Sequence, residues 1–195
     1  QVYTSPNTVT FDNTGPTGTI DYTNGYINMN SPNVRQVVVT WSVADPSGVA
    51  TTGNVLQRRS ATLSGNTCGG YGAWSTIANN PATPYTDTGV SQATCVQYQY
   101  IVKDTLGNTS TIADAAKTAK IDETKPTGVT ISYTDGLYLP ANPVVITTNA
   151  GADAESGLVA GKLIQRRETT FSGGVCGATY GAWATVATDA ASPWA

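Results

Sequence analysis

The sequence predicts an all-β protein made of tandem β-sandwich domains. Three observations carry this: a long stretch occurs twice, short runs alternate apolar and polar residues, and Gly, Asn, Asp and Pro turn signals separate those runs. Cys68-Gly-Gly-Tyr71-Gly72-Ala73-Trp74 returns about 110 residues later as Cys176-Gly-Ala-Thr-Tyr180-Gly181-Ala182-Trp183. Upstream, Asp12-Asn-Thr-Gly-Pro16-Thr-Gly18 answers Asp122-Glu-Thr-Lys-Pro126-Thr-Gly128, and Tyr22-Thr-Asn-Gly25 answers Tyr133-Thr-Asp-Gly136. Leu56-Gln-Arg-Arg59 answers Ile164-Gln-Arg-Arg167. A unit that recurs in this way is a building block of something longer, and its copies rarely hold an active site.

The matches also set the phase. Thr8-Val-Thr-Phe11-Asp12 aligns with Thr118-Ala-Lys-Ile121-Asp122, so residues 1–11 read as the closing strand of a preceding copy. Residues 12–122 read as one complete domain and residues 123–195 as the N-terminal part of a second, in which counterparts of Thr86 through Ile121 are missing. The whole reads as a slice of a longer polypeptide, because a half domain exposes strand edges and apolar surface.

Within the complete unit, strands are expected at residues 19–28, 35–44, 54–60, 73–78, 84–87, 95–103 and 109–121, the number and spacing of a sandwich. In the second, Val37, Val39, Trp41 and Val43 share one face while Gln36, Thr40 and Ser42 take the other, a half-buried period of two. Leu56 and Arg58 alternate with Val55, Gln57 and Arg59, and Tyr98, Tyr100 and Val102 with Gln97, Gln99 and Lys103. Between strands stand Asn24-Gly25, Asp45-Pro46-Ser47-Gly48, Ser64-Gly65-Asn66 and Asp104-Thr-Leu-Gly107-Asn108. Each supplies an Asx turn or a residue that tolerates positive φ. Residues 112–120 are the only helical candidate, and their place before the domain junction favours a strand.

Composition agrees with this class. With 39% hydrophobic and 12% charged residues the chain is too apolar for disorder. No run approaches the roughly 18 apolar residues of a membrane-spanning helix. A net charge of -3 gives no basic footprint for nucleic acid.

Cys95-Val-Gln-Tyr98-Gln-Tyr100-Ile-Val102-Lys-Asp104-Thr-Leu-Gly107-Asn108 resembles the penultimate strand and turn of bacterial immunoglobulin-like and fibronectin-type-III-like repeats, and the Asp-x-x-x-Pro junctions at 12–16 and 122–126 are similar to their linkers. The resemblance implies tandem immunoglobulin-like β-sandwiches serving as spacers or adhesive modules of bacterial surface proteins. The chain departs from it in one respect: no Cys lies on the Trp41 strand to make the inter-sheet pair of antibody domains.

Cysteine usage bears on compartment. Of three Cys, Cys68 and Cys95 belong to the complete unit, while the partner of Cys176 is expected beyond residue 195. A Cys68–Cys95 disulfide implies an extracytoplasmic, oxidising setting, extracellular or at the cell surface. Two buried thiols are the alternative. Zinc has no support, since the chain lacks His and Cys-x-x-Cys spacing.

With no His, no nucleophile elbow and no Ser-x-x-Lys spacing, no catalytic role and no cofactor are expected. Asp45, Asp87, Asp104, Asp122, Asp153 and Glu155 fall mainly in turns or junctions. Asp12, Asp45, Asp104 and Asp122, with Glu123, are weak candidates to converge on calcium, although no Asp-x-Asp-x-Asp loop is present, and ordinary turn chemistry is the competing reading. Trp74 and Trp183, with Tyr71 and Tyr180, offer either a stacking platform for a glycan or a core or interface contact. Arg58-Arg59 and Arg166-Arg167 point to alternate faces, so one of each pair should reach solvent and meet an acidic neighbour. Asn108-Thr-Ser110 matches a glycosylation acceptor.

These readings lead to a structural repeat of an extracellular fibre, filament or stalk, whose partners are further copies of the same repeat. The alternatives are spacer repeats of a surface adhesin, with a glycan or receptor as ligand, and accessory modules of a large secreted enzyme.

Overall fold

A computed structural model describes residues 10–27, 35–134, 136 and 144–195. Residues 1–9 of the expected closing strand, residue 28 and the Asp135 turn position lie outside the described residues; residues 10 and 11 carry no strand. The described residues are all-β, with no helix, and the chain divides into two compact units, Gln1–Glu123 and Thr124–Ala195.

Unit 1 contains β1 (Thr17–Asp21), β2 (Gly25–Tyr26), β3 (Val37–Ala44), β4 (Val55–Ser64), β5 (Thr67–Cys68), β6 (Ser75–Asn79), β7 (Tyr85–Asp87), β8 (Thr94–Lys103), β9 (Thr109–Ala113) and β10 (Ala119–Ile121). One sheet has the order β1-β3-β7. In the other β4 lies between β8 and β6, and β8 also pairs with β9 and β10, the latter carrying β2 in parallel. A single core separates the sheets: Ile20, Val37 and Val39 from the first meet Leu56, Tyr98, Tyr100, Val102 and Ile121 from the second. Two sheets facing each other across one core form a β-sandwich.

The period-two reading of β3 and β8 holds. Val37 and Val39 are buried while Val38 and Thr40 face solvent, and Trp41 stacks on Tyr100 with centroids 4.6 Å apart. Tyr22 meets Tyr98 edge-on at 5.0 Å, and burial pushes its phenol up to about 12.

Three boundaries differ from expectation. Residues 19–28 are not one strand, because Asn24 Oδ1 accepts from Thr118 N and Gly25 takes φ 96°, turning the chain from one sheet to the other. The closing segment 109–121 is likewise two strands, broken where Asp114 Oδ1 accepts from Ala116 N in an Asx turn. Strand β4 runs four residues beyond 60 to form a hairpin with β5 around Gly65 and Asn66, both at positive φ. Cys68 therefore ends a strand, ahead of Gly69 and Gly70.

Unit 2 contains β11 (Thr127–Tyr133), β12 (Ile146–Ala152), β13 (Leu163–Arg166), β14 (Phe171–Ser172), β15 (Val175–Cys176) and β16 (Ala184–Thr188). They pair as β11-β12, β13-β16 and β14-β15. Positions matched in sequence share local geometry with unit 1. The bonds Thr83-Pro84 and Ser192-Pro193 are both cis, Asn80 and Asp189 both sit at φ 47°, and both β4 and β13 bulge between the aliphatic residue and Gln of their Gln-Arg-Arg motifs.

Candidate functional site

The residues singled out in the sequence separate into three groups in unit 1. The first is the Cys68 hairpin. β4 pairs with β8 from Val55↔Ile101 to Thr62↔Thr94, which sets Ala61 opposite Cys95, while the hairpin sets Leu63 opposite Cys68. Cys68 and Cys95 form a disulfide, Cα to Cα 5.8 Å, inside a small satellite core with Ala61, Leu63 and Tyr71. The unfolded chain thereby loses a loop of 27 residues' separation, about 3.5 kcal/mol on a chain-entropy basis.

The second group surrounds the two arginines. Arg58 Nη1 lies 2.7 Å from Asp87 Oδ2, and Tyr98 Oη donates to the same oxygen at 2.9 Å. Asp87 and Tyr98 are buried, so the carboxylate shares its charge with a cation and a phenol inside the core edge, and burial next to that carboxylate raises the Tyr98 pKa far above its usual range. Arg59 leaves the opposite face of β4. Its guanidinium lies over Tyr71 at 4.9 Å and over Trp74 at 4.7 Å, and its Nε and Nη2 donate to Gln97 Oε1 at 2.9 and 2.6 Å. Gln97 Nε2 continues to Lys117 O and Thr118 Oγ1, and Tyr71 Oη is 3.1 Å from that same hydroxyl. Unit 2 repeats the stack, with Arg167 over Tyr180 at 4.8 Å and over Trp183 at 4.9 Å. One face of each ring is thus taken by a guanidinium, so these aromatics make an intramolecular contact.

The alternating faces of Arg58 and Arg59 are as expected, but only Arg58 meets a carboxylate. The Arg59 stack and the Asp87–Tyr98 bond escaped the sequence reading. A signal for the stack was present, since Arg59, Tyr71 and Trp74 recur together as Arg167, Tyr180 and Trp183.

The third group is acidic. Asp12, Asp45 and Asp104 each bring a carboxylate oxygen within 4.8 Å of the others, whereas Asp122 sits apart from them and accepts from Gln92 Nε2. Glu123 pairs with Arg35, Nε to Oε1 3.2 Å. Carboxylate oxygens gathered in this way are the ligand type a calcium ion takes. Each also terminates a turn: Asp12 Oδ1 accepts from Thr14 N, Asp45 Oδ1 from Ser47 N, and Asp104 Oδ1 from the backbone of Leu106 and Asn108. Asp12 Oδ2 is a buried oxygen with no hydrogen-bond partner. The backbone and hydroxyl of Thr14 hold the Asp12 carboxyl below its ordinary value. Burial opposes ionisation of Asp104, and the bonds from Asn108, Leu106 and Gly107 outweigh it, so its pKa is lowered as well. Asn108 Nδ2 donates to Asp104 Oδ2 at 2.6 Å and to Asp12 O at 3.3 Å, so this amide, which matches the glycosylation acceptor pattern, is engaged in closing the turn.

Among the described residues no helix is long and apolar enough to cross a membrane. Compared with protein-family models, curated proteins and solved structures, the chain matches none.

Proposed function

We propose that this chain is a structural segment of an extracellular fibre, stalk or surface filament, built from immunoglobulin-like sandwiches in tandem and without a catalytic role. The observation that carries the reading is the return of one local design in both units: the bulged Gln-Arg-Arg strand, the Gly hairpin leading to a cysteine, and the arginine held by Tyr and Trp. The strand order adds support. β1, β3 and β7 face β4, β8 and β9, as the first, second and fifth strands of an immunoglobulin sandwich face the third, sixth and seventh. The Cys68–Cys95 disulfide fits an oxidising compartment. In unit 1 the named polar side chains are spent on turns, the Arg58–Asp87–Tyr98 cluster and the arginine stack, all of which hold shape.

Cryo-electron microscopy of the native assembly tests this. The expected result is density for these sandwiches recurring along one axis. Compact particles from which the units trail as appendages of a different globular domain would sink the fibre and favour spacer or accessory modules.

A further inference from the structure

We propose that Asn24 is a site of spontaneous backbone modification, at which the Gly25 amide nitrogen displaces ammonia from the Asn24 side chain, and that the pairing of β2 with β10 holds this reaction shut. The site goes beyond the fibre reading and does not depend on it.

The sequence contains one Asn-Gly pair, Asn24-Gly25. Ring closure at such a pair needs a carboxamide open to water and a following amide nitrogen that no side chain shields. It also needs that nitrogen to be free to lose its proton and swing onto the carboxamide carbon. The first two conditions are met. Asn24 is exposed, and nothing lies within 4 Å of where a Cβ would stand on Gly25. The third is withheld by a single residue. Thr118 N donates to Asn24 Oδ1 at 3.0 Å, and Gly25 N donates to Thr118 O at 2.8 Å. Electrophile and nucleophile are thus both bonded to Thr118, and the proton that Gly25 must lose is shared with a carbonyl.

Contacts on either side keep the clamp in place. Tyr22 Oη donates to Lys117 O at 2.9 Å, Lys117 Nζ pairs with Asp21, and Ile27 N donates to Lys120 O at 3.0 Å. These set Gly25 beside Ala119 and Tyr26 beside Lys120. Strand β10 is anchored, since Ala119 and Ile121 are fully buried and pair with β8. Strand β2 has only two residues and among the described residues pairs with β10 alone. A short edge strand belongs to the parts of a fold that open first, so β2 is the partner that leaves.

When β2 lifts off, Gly25 N gives its proton to hydroxide and bonds to Asn24 Cγ. The Cγ–Nδ2 bond breaks, and the nitrogen takes up a proton and leaves as ammonia. Water then opens the cyclic imide. Addition at Cγ breaks the new Cγ–N bond and leaves an aspartate. Addition at the backbone carbonyl carbon breaks the original peptide bond and leaves an isoaspartate, whose chain runs on through the side-chain carbons. The sum is Asn plus water giving either acid plus ammonia. The two products differ in consequence. Aspartate keeps an oxygen for Thr118 N, and the second copy carries Asp135 at the aligned place in Tyr133-Thr-Asp-Gly136. Isoaspartate inserts one backbone atom ahead of Gly25, so Thr118 N and O can no longer both be met and β2 does not return to its register. Opening is thereby recorded as a lasting break in the crossing from one sheet to the other.

The probe is the 195-residue chain incubated at mildly alkaline pH. Conversion at position 24 is followed by mass spectrometry with fragmentation that distinguishes isoaspartate, and hydrogen exchange is measured at 25–27. A synthetic peptide of residues 20–27 supplies the unclamped rate. The folded chain is expected to convert about 30-fold more slowly than the peptide, since two hydrogen bonds must break first. Tyr22→Phe, which removes the bond to Lys117 O and keeps the ring, should speed conversion and exchange at 25–27 together by about 3–10-fold. Should that variant not fold, urea below the unfolding transition of the parent chain should raise both rates in step. Asn24→Asp should exchange at 25–27 as slowly as the parent, and chain isolated with isoaspartate at position 24 should exchange fast there. Equal rates for folded chain and peptide would overturn the proposal. So would conversion that stays constant while exchange at 25–27 quickens, or an isoaspartate-bearing chain that exchanges as slowly as the parent.

Discussion

Asp87 is the residue on which most depends in unit 1, since one buried carboxylate satisfies both Arg58 and the Tyr98 phenol. Replacing it strands a cation and a hydroxyl at the core edge. Asp87→Ala is expected to lower unfolding free energy by about 3–5 kcal/mol, against about 1 kcal/mol for Tyr98→Phe, read from urea denaturation of each variant. The turn carboxylates act through pH. Asp12 and Asp104 are held below their ordinary value of 3.8, so the stability they contribute is complete above that pH and is lost as pH falls through their lowered folded values. Thermal midpoints measured downward from neutral pH should therefore drop in the acid range, and Asp104→Asn should flatten that drop. An unchanged slope would show that Asp104 titrates alike folded and unfolded.

At the scale of the elements, the pairing of β1 with β3 depends on a residue without a side chain. A Cβ on Gly18 would stand 2.0 Å from Ser42 O and 2.9 Å from Val43 Cα, so Gly18→Ala must push the two strands apart. The expected loss is about 1–3 kcal/mol, with faster hydrogen exchange confined to β1 and β3. The connection from β5 to β6 is held by the arginine stack instead. Arg59→Ala removes two ring contacts and the bonds to Gln97, and a change in Trp74 fluorescence together with a loss of about 1–2 kcal/mol is expected. Arg59→Lys should recover little, because an ammonium lacks the planar fork that bonds and stacks at once.

For the molecule as a whole, the disulfide and the two-sheet core should make unit 1 the more resistant part. Reduction, or the double variant Cys68→Ser with Cys95→Ser, is expected to lower its stability by about 3–4 kcal/mol without unfolding unit 2 further, as followed by calorimetry. A single transition unchanged by reductant would contradict it.

The sequence by itself determined the strand class, the faces of β3 and β8 and several turn positions, because alternation and Asx turns are local patterns, and it left Cys68 and Cys95 as the one possible pair within the complete unit. Val37 and Val39 could be placed inside from their neighbours alone. Three-dimensional pairing decided the rest. That Asn24 would turn the chain onto β10, that Asp12 would meet Asp45 and Asp104 while Asp122 would not, and that Arg59 would be gripped by rings from the connection between β5 and β6 all depend on how distant parts of the chain pack. No periodicity reports a contact between strands whose order in the sheet differs from their order in the chain, and only the packed sheets bring those side chains together.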